Sequence, residues 1–326
     1  MIKTVVGSYP VIKGKPSNLI DKIKNIFGIY DEFKYSLECA VINQINNGIN
    51  IVSDGQTRGD MVEIFVSNLY GFEGKSIVGK IEHTKPITLN DLKYANKILK
   101  SLSNTKNKSV KGILTGPCTI ASSVRLENNN FYSDNKDEKL IYDLAEALRK
   151  EAKSIENEVS VIQIDEPILS TGLYSLDTAK RAINLITKDL NVPVSMHVCG
   201  NVINIYEELD KFNVSMLDFE FASNRRNLEL LENISKKVGF GCINTKIKTV
   251  ESVDEVKSLI NEGLEILKNN NNFNNINGNI IDKLNKFIVI DPDCGMRLLP
   301  VEVANNKLKN MCIGADEFEF ELKNNF

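Results

Sequence analysis

The sequence of 326 residues contains no tryptophan, only two histidines and no apolar run that approaches the length of a membrane span. Its first residues, MIKTVVGSYP, lack the basic, apolar and small-residue layout of a secretory signal. A net charge of -3 without a basic stripe argues against nucleic acid as a partner. We therefore expect a cytoplasmic protein that binds neither a membrane nor nucleic acid.

The cysteine pattern predicts free thiols. Six cysteines are scattered along the chain, which is typical of a cytosolic enzyme and not of a disulfide framework. Cys39, in a predicted helix, and Cys312 are expected to be structural, because free cysteine is usually buried. With 42% hydrophobic and 25% charged residues, the composition is that of a globular protein with a large core.

Apolar runs of strand length alternate with amphipathic stretches, which is the pattern of βαβ units and a parallel sheet. Eight such runs occur, at 3–8, 49–54, 111–116, 161–165, 193–199, 214–220, 239–243 and 286–291. Eight strand and helix units in about 300 residues predict a single α/β domain over 1–326, a (β/α)8 TIM barrel. A doubly wound open sheet is the alternative, but no GxGxxG motif follows the first strand.

Three segments lie outside this alternation. Residues 56–110, between strands two and three, are longer than one helix needs, so we expect an excursion or hairpin over one barrel end. The asparagine-rich tract at 269–279 is expected to be a solvated loop, because polar tracts of this kind rarely bury side chains. His83, in EHTKP, is expected to be exposed.

Reactive side chains recur where the predicted strands end, and the carboxyl ends of strands are where barrel enzymes build their active sites. These positions are Ser8, Asp54, Asp165 with Glu166, His197 with Cys199, Glu220, and Cys294 after the last strand. The register of these residues predicts one site at one end of the barrel.

His197 and Cys199, in MHVCG, form the most informative pair. Residues i and i+2 of a strand project to the same side, so the imidazole and the thiol face a common point. Thiolates and imidazole together favour zinc, and a site with few protein ligands leaves a position for a substrate. Cys294, in DPDCG, and Glu220 complete a set of four candidate ligands. The alternative is a buried strand that carries a small apolar cysteine.

The neighbouring carboxylates also have structural alternatives. Glu220 could be a buried carboxylate held by Arg225 or Arg226. Asp165 and Glu166, in IQIDEP, could form a helix N-cap followed by proline, or could bind the ammonium group of an amino acid. Both interpretations of the pair remain open at this point.

A series of collinear motifs resembles the catalytic half of cobalamin-independent methionine synthase, and most closely its short, single-barrel archaeal members. The motifs cover essentially the whole chain: VGSYP, TRGDMVE, LTGP, IQIDEP, MHVCG, the segment of Glu220, GFGCI and DPDCG. The resemblance implies a methyltransferase that forms methionine from homocysteine. It also implies that zinc is bound by His197, Cys199, Glu220 and Cys294.

Substrate contacts follow from the same resemblance. Asp165, with Glu166 beside it, would hold the amino group of homocysteine, and Ser8 of the Gly7–Ser8 segment would hold the carboxylate. The family's carboxylate on strand two does not align cleanly with SDGQTR, so Asp54 or Glu63 is expected to replace it.

Departures from the family's long members concern the methyl donor. The chain has no second barrel, and Ser123 occupies the place of the tryptophan that stacks on folate. Lys246 occupies the place of an acid-relay histidine and, with Asp165, is a candidate catalytic residue. These differences predict methylcobalamin or a methylated corrinoid protein as the donor, and not folate. The alternatives are a methylcobamide:thiol methyltransferase acting on another thiol such as coenzyme M, or a non-catalytic zinc- or corrinoid-binding protein.

Overall fold

A closed parallel barrel organises the computed structural model, which describes residues 1–103, 105–127 and 131–324. Eight strands of the described residues form the barrel: β1 (Ile2–Lys3), β2 (Ile51–Val52), β3 (Ser109–Thr115), β4 (Val161–Asp165), β5 (Val194–His197), β6 (Met216–Glu220), β7 (Lys237–Gly241) and β8 (Ile288–Asp291). They pair in chain order, and β8 returns to β1. A parallel bridge from Thr4 to Ile51 joins β1 to β2. The predicted (β/α)8 barrel is confirmed, and the alternative, a doubly wound open sheet, is wrong because the sheet closes on itself.

The predicted strands overlap all eight observed strands, and β4 has the predicted bounds. The largest difference is β1, which ends at Lys3 although Val5 and Val6 stay buried. The carbonyl groups of Val5 and Val6 accept hydrogen bonds from two side chains, of Lys111 and Gln163, in place of a neighbouring strand. The chain therefore leaves the ladder early without leaving its polar groups unpaired.

Helices surround the barrel. The α-helices of the described residues are Leu19–Ile26, Phe33–Asn46, Glu63–Val66, Leu89–Ser101, Pro117–Ser122, Glu138–Ile155, Leu176–Thr187, Tyr206–Leu209, Val253–Leu267, Asn271–Asn274, Ile280–Phe287 and Val301–Asn324. Shorter 3₁₀ helices are Glu156–Glu158, Pro167–Thr171, Ile203–Ile205 and Arg225–Glu232. The helix Val253–Leu267 begins at a capping box of Ser252 and Glu255, and its apolar residues recur at helical spacing on the buried face.

The predicted excursion lies between β2 and β3. It contains a hairpin of Tyr70–Glu73 and Ser76–Glu82, which pairs with Arg125–Leu126 in a small second sheet. Gly71, at φ 92°, lies so close to the facing strand that a Cβ would be 2.5 Å from the carbonyl oxygen of Lys80. Only glycine fits that position of the hairpin.

The prediction that His83 is exposed was wrong. Its side chain is 8% exposed, and Nε2 lies 2.9 Å from the fully buried carboxylate of Glu151. Glu151 also accepts from the backbone N–H groups of Ile87 and Thr88, both at 2.8 Å. A buried carboxylate requires such partners, and the histidine that follows the hairpin supplies one.

The prediction of a solvated asparagine-rich loop was also wrong in part. Asn270 is fully buried and donates to the carbonyl groups of Leu231 and Ile234 at 2.7 and 2.9 Å. Phe273 is buried on the short helix that follows. These carbonyl groups lie at and just beyond the end of the 3₁₀ helix Arg225–Glu232 and need a donor because they are buried. Asn270 supplies it, although composition alone predicts that this asparagine is exposed to solvent.

The cysteines are free thiols, as predicted. All six cysteines are free, with Cys312 buried and Cys39 half-buried in the helix Phe33–Asn46. Across the part of the chain that the structure describes, no helix combines the length and apolar character needed to cross a membrane.

Candidate metal centre and substrate site

Three of the four predicted ligands converge at the carboxyl ends of the barrel strands. His197 is the last residue of β5, Cys199 follows two residues later, and Cys294 follows β8. The ligand atoms of the three residues all lie within 4.8 Å of one another. Closure of the barrel brings Cys294 next to the pair from β5, although about a hundred residues separate them in sequence.

The imidazole of His197 is oriented by Asp218. Its Nδ1 lies 3.0 Å from Oδ1 of Asp218, a fully buried residue that pairs with His197 across β5 and β6. Its Nε2 is buried and has no hydrogen-bond partner among the described residues. A histidine that donates Nδ1–H to a carboxylate and leaves Nε2 free has the arrangement of a metal ligand. The buried Nε2 beside two thiols therefore fits a metal ion.

The protonation of the cluster follows from its contacts. Burial disfavours the charged form of His197, but the Asp218 carboxylate outweighs it and raises the imidazole pKa well above its ordinary value. Contact with Cys294 lowers the pKa of Cys199, and the same contact raises the pKa of Cys294 well above its ordinary value. A metal requires neutral imidazole and thiolates, so metal binding at this cluster would release protons.

Glu220 ends β6 beside this cluster but is not one of the three residues within 4.8 Å. Its Oε2 accepts from Nζ of Lys246 at 2.8 Å and from Oγ of Ser223 at 3.2 Å, and also from Nδ2 of Asn224. Its Oε1 is buried without a partner in the described ranges. Oε2 of Glu220 is thus held in place by its hydrogen bonds, while Oε1 is available to bind a metal ion.

Lys246, and neither of the two predicted arginines, balances the charge of Glu220. Arg225 instead pairs with Glu262 on the protein surface. Burial tends to lower the pKa of Lys246, but the ion pair with Glu220 outweighs it and raises that pKa. Lys246 therefore stays charged at the exposed edge of the site.

Asp165 and Glu166 end β4 but have different partners. Burial raises the pKa of Asp165 to about 6, and its Oδ1 accepts from Nε2 of Gln163 at 2.7 Å. Glu166 is fully buried and accepts from the backbone N–H groups of Cys118 and Thr119, both at 2.9 Å. Glu166 thus orients the helix Pro117–Ser122 with both of its oxygens, whereas Asp165 retains an oxygen for another contact.

Ser8 lies against the segment that carries Cys294. A Cβ at Gly295 would be 2.2 Å from Oγ of Ser8, and the backbone N–H of Met296 donates to the Ser8 carbonyl at 2.8 Å. Gly7, just before it, is held by a 2.6 Å bond from Oγ of Ser53 to its carbonyl oxygen. Glycine at position 295 therefore allows the predicted carboxylate-binding serine to approach the metal cluster.

The two strand-two candidates line one cavity. Asp54 and Glu63, with Gln56 and Arg58, border a cavity of about 140 Å³ at the end of β2. Burial raises the pKa of Asp54 to about 6, and Glu63 is exposed. Gln56 reaches from this cavity toward Gly7, since a Cβ at Gly7 would be 3.1 Å from its Oε1.

Sequence reasoning missed the carboxylates that support the cluster. Asp293, next to Cys294, accepts from the backbone N–H groups of Phe221 and Ser223 at 3.0 and 2.6 Å, which ties the segment after Glu220 to the segment of Cys294. Burial raises the pKa of Asp293 to about 7. The two aspartates of IVIDPDCG could have indicated this support, but the sequence analysis assigned a role only to the cysteine of that motif.

The fold is a (β/α)8 barrel that carries a cluster of one imidazole and two thiols at the carboxyl ends of its strands, the place where barrel enzymes build their active sites. The chain belongs to the family described as cobalamin-independent synthase, catalytic domain, which matches residues 1–317. The expected family is thereby confirmed, and the protein is a methyltransferase of the methionine synthase type.

Two similar proteins agree with this assignment. Methionine synthase of Methanocaldococcus jannaschii is 61% identical over 311 residues, which cover 95% of this chain and 97% of that protein. Methionine synthase of Methanothermobacter marburgensis is 44% identical over 328 residues, or 98% of this chain and 100% of that protein. Such coverage places the whole barrel within the family.

Solved structures support the fold. A B12-independent methionine synthase from a Shewanella species, in complex with selenomethionine, matches with a TM-score of 0.78 and 24% identity over 99% of this chain and 98% of that chain. A methyltransferase from Methanosarcina mazei matches with a TM-score of 0.62 and 19% identity over 97% and 94% of the two chains. At these identities the likeness establishes the barrel architecture alone.

The predicted donor, methylcobalamin or a methylated corrinoid protein, was wrong, because the family is one whose synthases are independent of cobalamin. The prediction depended on contacts to folate that the sequence lacks, among them those at Ser123 and Lys246. In the structure Ser123 donates to the Thr119 carbonyl at 2.9 Å at a helix end, and Lys246 pairs with Glu220. The absence of contacts to folate is therefore not evidence for a corrinoid-binding site.

Proposed function

We propose that the protein forms methionine by zinc-dependent methyl transfer to the thiol of homocysteine. The observation that carries this proposal is the set of orphaned, buried ligand atoms at the strand ends. Nε2 of His197 lies beside Cys199 and Cys294, and Oε1 of Glu220 is free next to them, as far as the described residues show. Two thiolates, one imidazole and one carboxylate form a donor set suited to zinc.

In this proposal His197, Cys199, Cys294 and Glu220 hold the zinc. Bound zinc would supply the thiol activation, because it stabilises a thiolate at a pH below the thiol's free pKa near 8.5. Asp218 keeps the imidazole in the tautomer that presents Nε2. Asp293 holds the segment after Glu220 against that of Cys294, which fixes the spacing of the ligands.

The amino-acid end of homocysteine would lie between Asp165 and Ser8. Asp165 has an oxygen available for the ammonium group, and Ser8 approaches the cluster over Gly295. Asp54 and Glu63 border the neighbouring cavity, and we assign to one of them a second contact with the ammonium group. Glu166 serves by orienting the adjacent helix, since its oxygens are occupied.

Methyl transfer requires in-line attack by sulfur on the methyl carbon while the bond to the leaving atom breaks. The electron pair of that bond remains with the leaving group. Lys246 is charged and exposed at the edge of the site, so its ammonium group would stabilise negative charge on the departing group. The residues of the chain therefore provide binding, orientation and one electrostatic contact.

The experiment supplies zinc-loaded protein with homocysteine and methyltetrahydrofolate, in the absence of any cobalamin, and measures methionine. Binding of homocysteine is measured in parallel by calorimetry, which does not depend on the donor. Cys294→Ala should lose zinc and methionine formation, whereas Cys312→Ala, which alters a buried thiol outside the site, should retain both. Full activity of a metal-free preparation would exclude the zinc mechanism. Equal binding of homocysteine and of simple thiols would exclude the amino-acid site.

A further inference from the structure

A buried lysine lies inside the barrel below the proposed substrate site. Lys111, on β3, is 1% exposed. Its Nζ donates to Oε1 of Gln163 and to the carbonyl oxygen of Val5, both at 2.6 Å. Among the described residues, no carboxylate lies within ion-pair distance of it. A lysine amino group buried in this way is costly unless hydrogen bonds satisfy it.

Gln163 extends these contacts toward the site. It is fully buried on β4, and its Nε2 donates to the carbonyl oxygen of Val6 and to Oδ1 of Asp165, both at 2.7 Å. Gln163 and Asp165 are two residues apart on the strand, so their side chains project to the same side. Lys111 and Gln163 together connect β3 and β4 to the segment that follows β1.

The two groups that these bonds fix are the two ends of the proposed substrate site. Val5 and Val6 lead directly into Gly7 and Ser8, and their carbonyl groups accept from the lysine and the glutamine. The same glutamine occupies one oxygen of Asp165. The position of the Ser8 segment relative to Asp165 therefore depends on two adjacent buried side chains.

We propose that Lys111 and Gln163 are positioning residues that form a brace, which holds Asp165 and the Ser8 segment at the spacing of an amino acid's ammonium and carboxylate groups. The brace sets specificity for an amino-acid thiol over a simple thiol. This inference rests on the proposed function, because it assumes that homocysteine binds between Asp165 and Ser8.

Lys111 suits this role because its amino group reaches both acceptors at once. Burial is the larger influence on Lys111 and lowers its pKa, against the opposing effect of Asp165, Asp218 and Asp291. Two short donations from this one buried group join the Val5 carbonyl to the amide of Gln163. The same amide donates to Asp165, so one set of hydrogen bonds runs from the start of the Ser8 segment to that carboxylate.

A lysine that only supported the barrel would produce a different pattern of defects. Its loss would weaken the fold and would affect every ligand of the site alike. The brace predicts a selective defect, because it acts on the two contacts to the amino-acid end and not on the thiol or the zinc. Comparing homocysteine with 2-mercaptoethanol, which has a thiol and no amino-acid end, separates the two cases.

The test uses Lys111→Met and Gln163→Met in the zinc-loaded full chain, with dissociation constants of homocysteine and 2-mercaptoethanol measured by calorimetry and zinc measured by elemental analysis. Each variant should bind homocysteine roughly 10- to 100-fold more weakly, the range in which metal sites weaken when a residue that orients a ligand is lost. Binding of 2-mercaptoethanol and zinc content should stay within about twofold. The double variant should be no weaker than the weaker single variant, because the two residues act as one unit.

Lys3→Met is the matched control. Lys3 is also a nearly buried lysine on a barrel strand, but it pairs with Asp316 away from the site. It should leave the binding of both thiols within about twofold of wild type. If Lys111→Met does not fold, Gln163→Met alone decides, since it breaks the brace and leaves the buried lysine in place.

Two results would overturn the brace. In one, both thiols weaken equally in Lys111→Met and Gln163→Met. In the other, homocysteine binding is unchanged although the wild type prefers homocysteine to 2-mercaptoethanol. A wild type without that preference would instead reject the proposed function, and the brace with it, so the two failures are distinguishable.

Discussion

Replacing Asp218 tests how the protein prepares His197 for a metal. Asp218→Leu keeps a side chain of similar length in the core but removes the acceptor 3.0 Å from Nδ1. A hydrogen bond to a charged group contributes about 1.5–3 kcal/mol, which corresponds to roughly 10- to 100-fold in affinity. We therefore expect the variant to bind zinc about 10- to 100-fold more weakly, in line with other carboxylates that orient a histidine ligand.

The pH dependence makes this prediction sharper. Asp218 raises the pKa of His197 despite the opposing effect of burial, so in the wild type a proton competes with the metal for Nε2. In the variant the proton competes less strongly with zinc, because the imidazole has a lower pKa without Asp218. The difference in zinc affinity between wild type and variant should therefore grow as pH rises.

The assay is chelator competition for zinc at several pH values, with circular dichroism to confirm folding. Asp137→Asn serves as a control, since Asp137 caps the distant helix Glu138–Ile155. It should leave zinc affinity within about twofold of wild type. A wild-type affinity in Asp218→Leu, or a difference that shrinks as pH rises, would refute the assigned role.

Three further predictions concern single side chains. Asp165→Asn should weaken homocysteine binding by about 1.5–3 kcal/mol without loss of zinc. In the wild type, but not in this variant, homocysteine binding should weaken as pH falls through about 6, where Asp165 takes up a proton. Unchanged homocysteine binding or a loss of zinc in the variant would contradict this. Gly116→Ala should lower stability by about 1–3 kcal/mol in thermal unfolding, because its Cβ would lie 2.1 Å from Cδ of Glu166, and Gly79→Ala should be tolerated. Glu151→Leu should cost about 3–5 kcal/mol in urea unfolding, since its buried donors lose their acceptor, and a loss under about 1 kcal/mol would contradict that.

The barrel could be predicted from the sequence because each strand is a short apolar run between amphipathic helices. The overlap was best at β4, where the apolar run and the ladder coincide. It was poorest at β1, because side chains from other strands, and not a neighbouring strand, satisfy the carbonyl groups of Val5 and Val6. Local pattern does not reveal which groups a distant side chain will satisfy.

The candidate ligands could be predicted for a similar reason. Spacing along β5 brings His197 and Cys199 to one side, and barrel closure brings Cys294 to them. The residues behind the site could not be predicted. Asp218, which orients His197, and Lys111, which lies below Asp165, look like ordinary charged positions until the register of the strands is known. The predictions that His83 and the segment of Asn270 are exposed failed for the same reason, because each residue forms a hydrogen bond to a buried group far away in sequence.

X-ray absorption of the zinc-loaded protein tests the central claim most directly. If His197, Cys199, Cys294 and Glu220 hold the metal, the spectrum should show two sulfur neighbours at about 2.3 Å and two nitrogen or oxygen neighbours at about 2.0–2.2 Å. Addition of homocysteine should raise the sulfur count by one. A zinc shell without sulfur, or a spectrum that homocysteine does not change, would contradict the account.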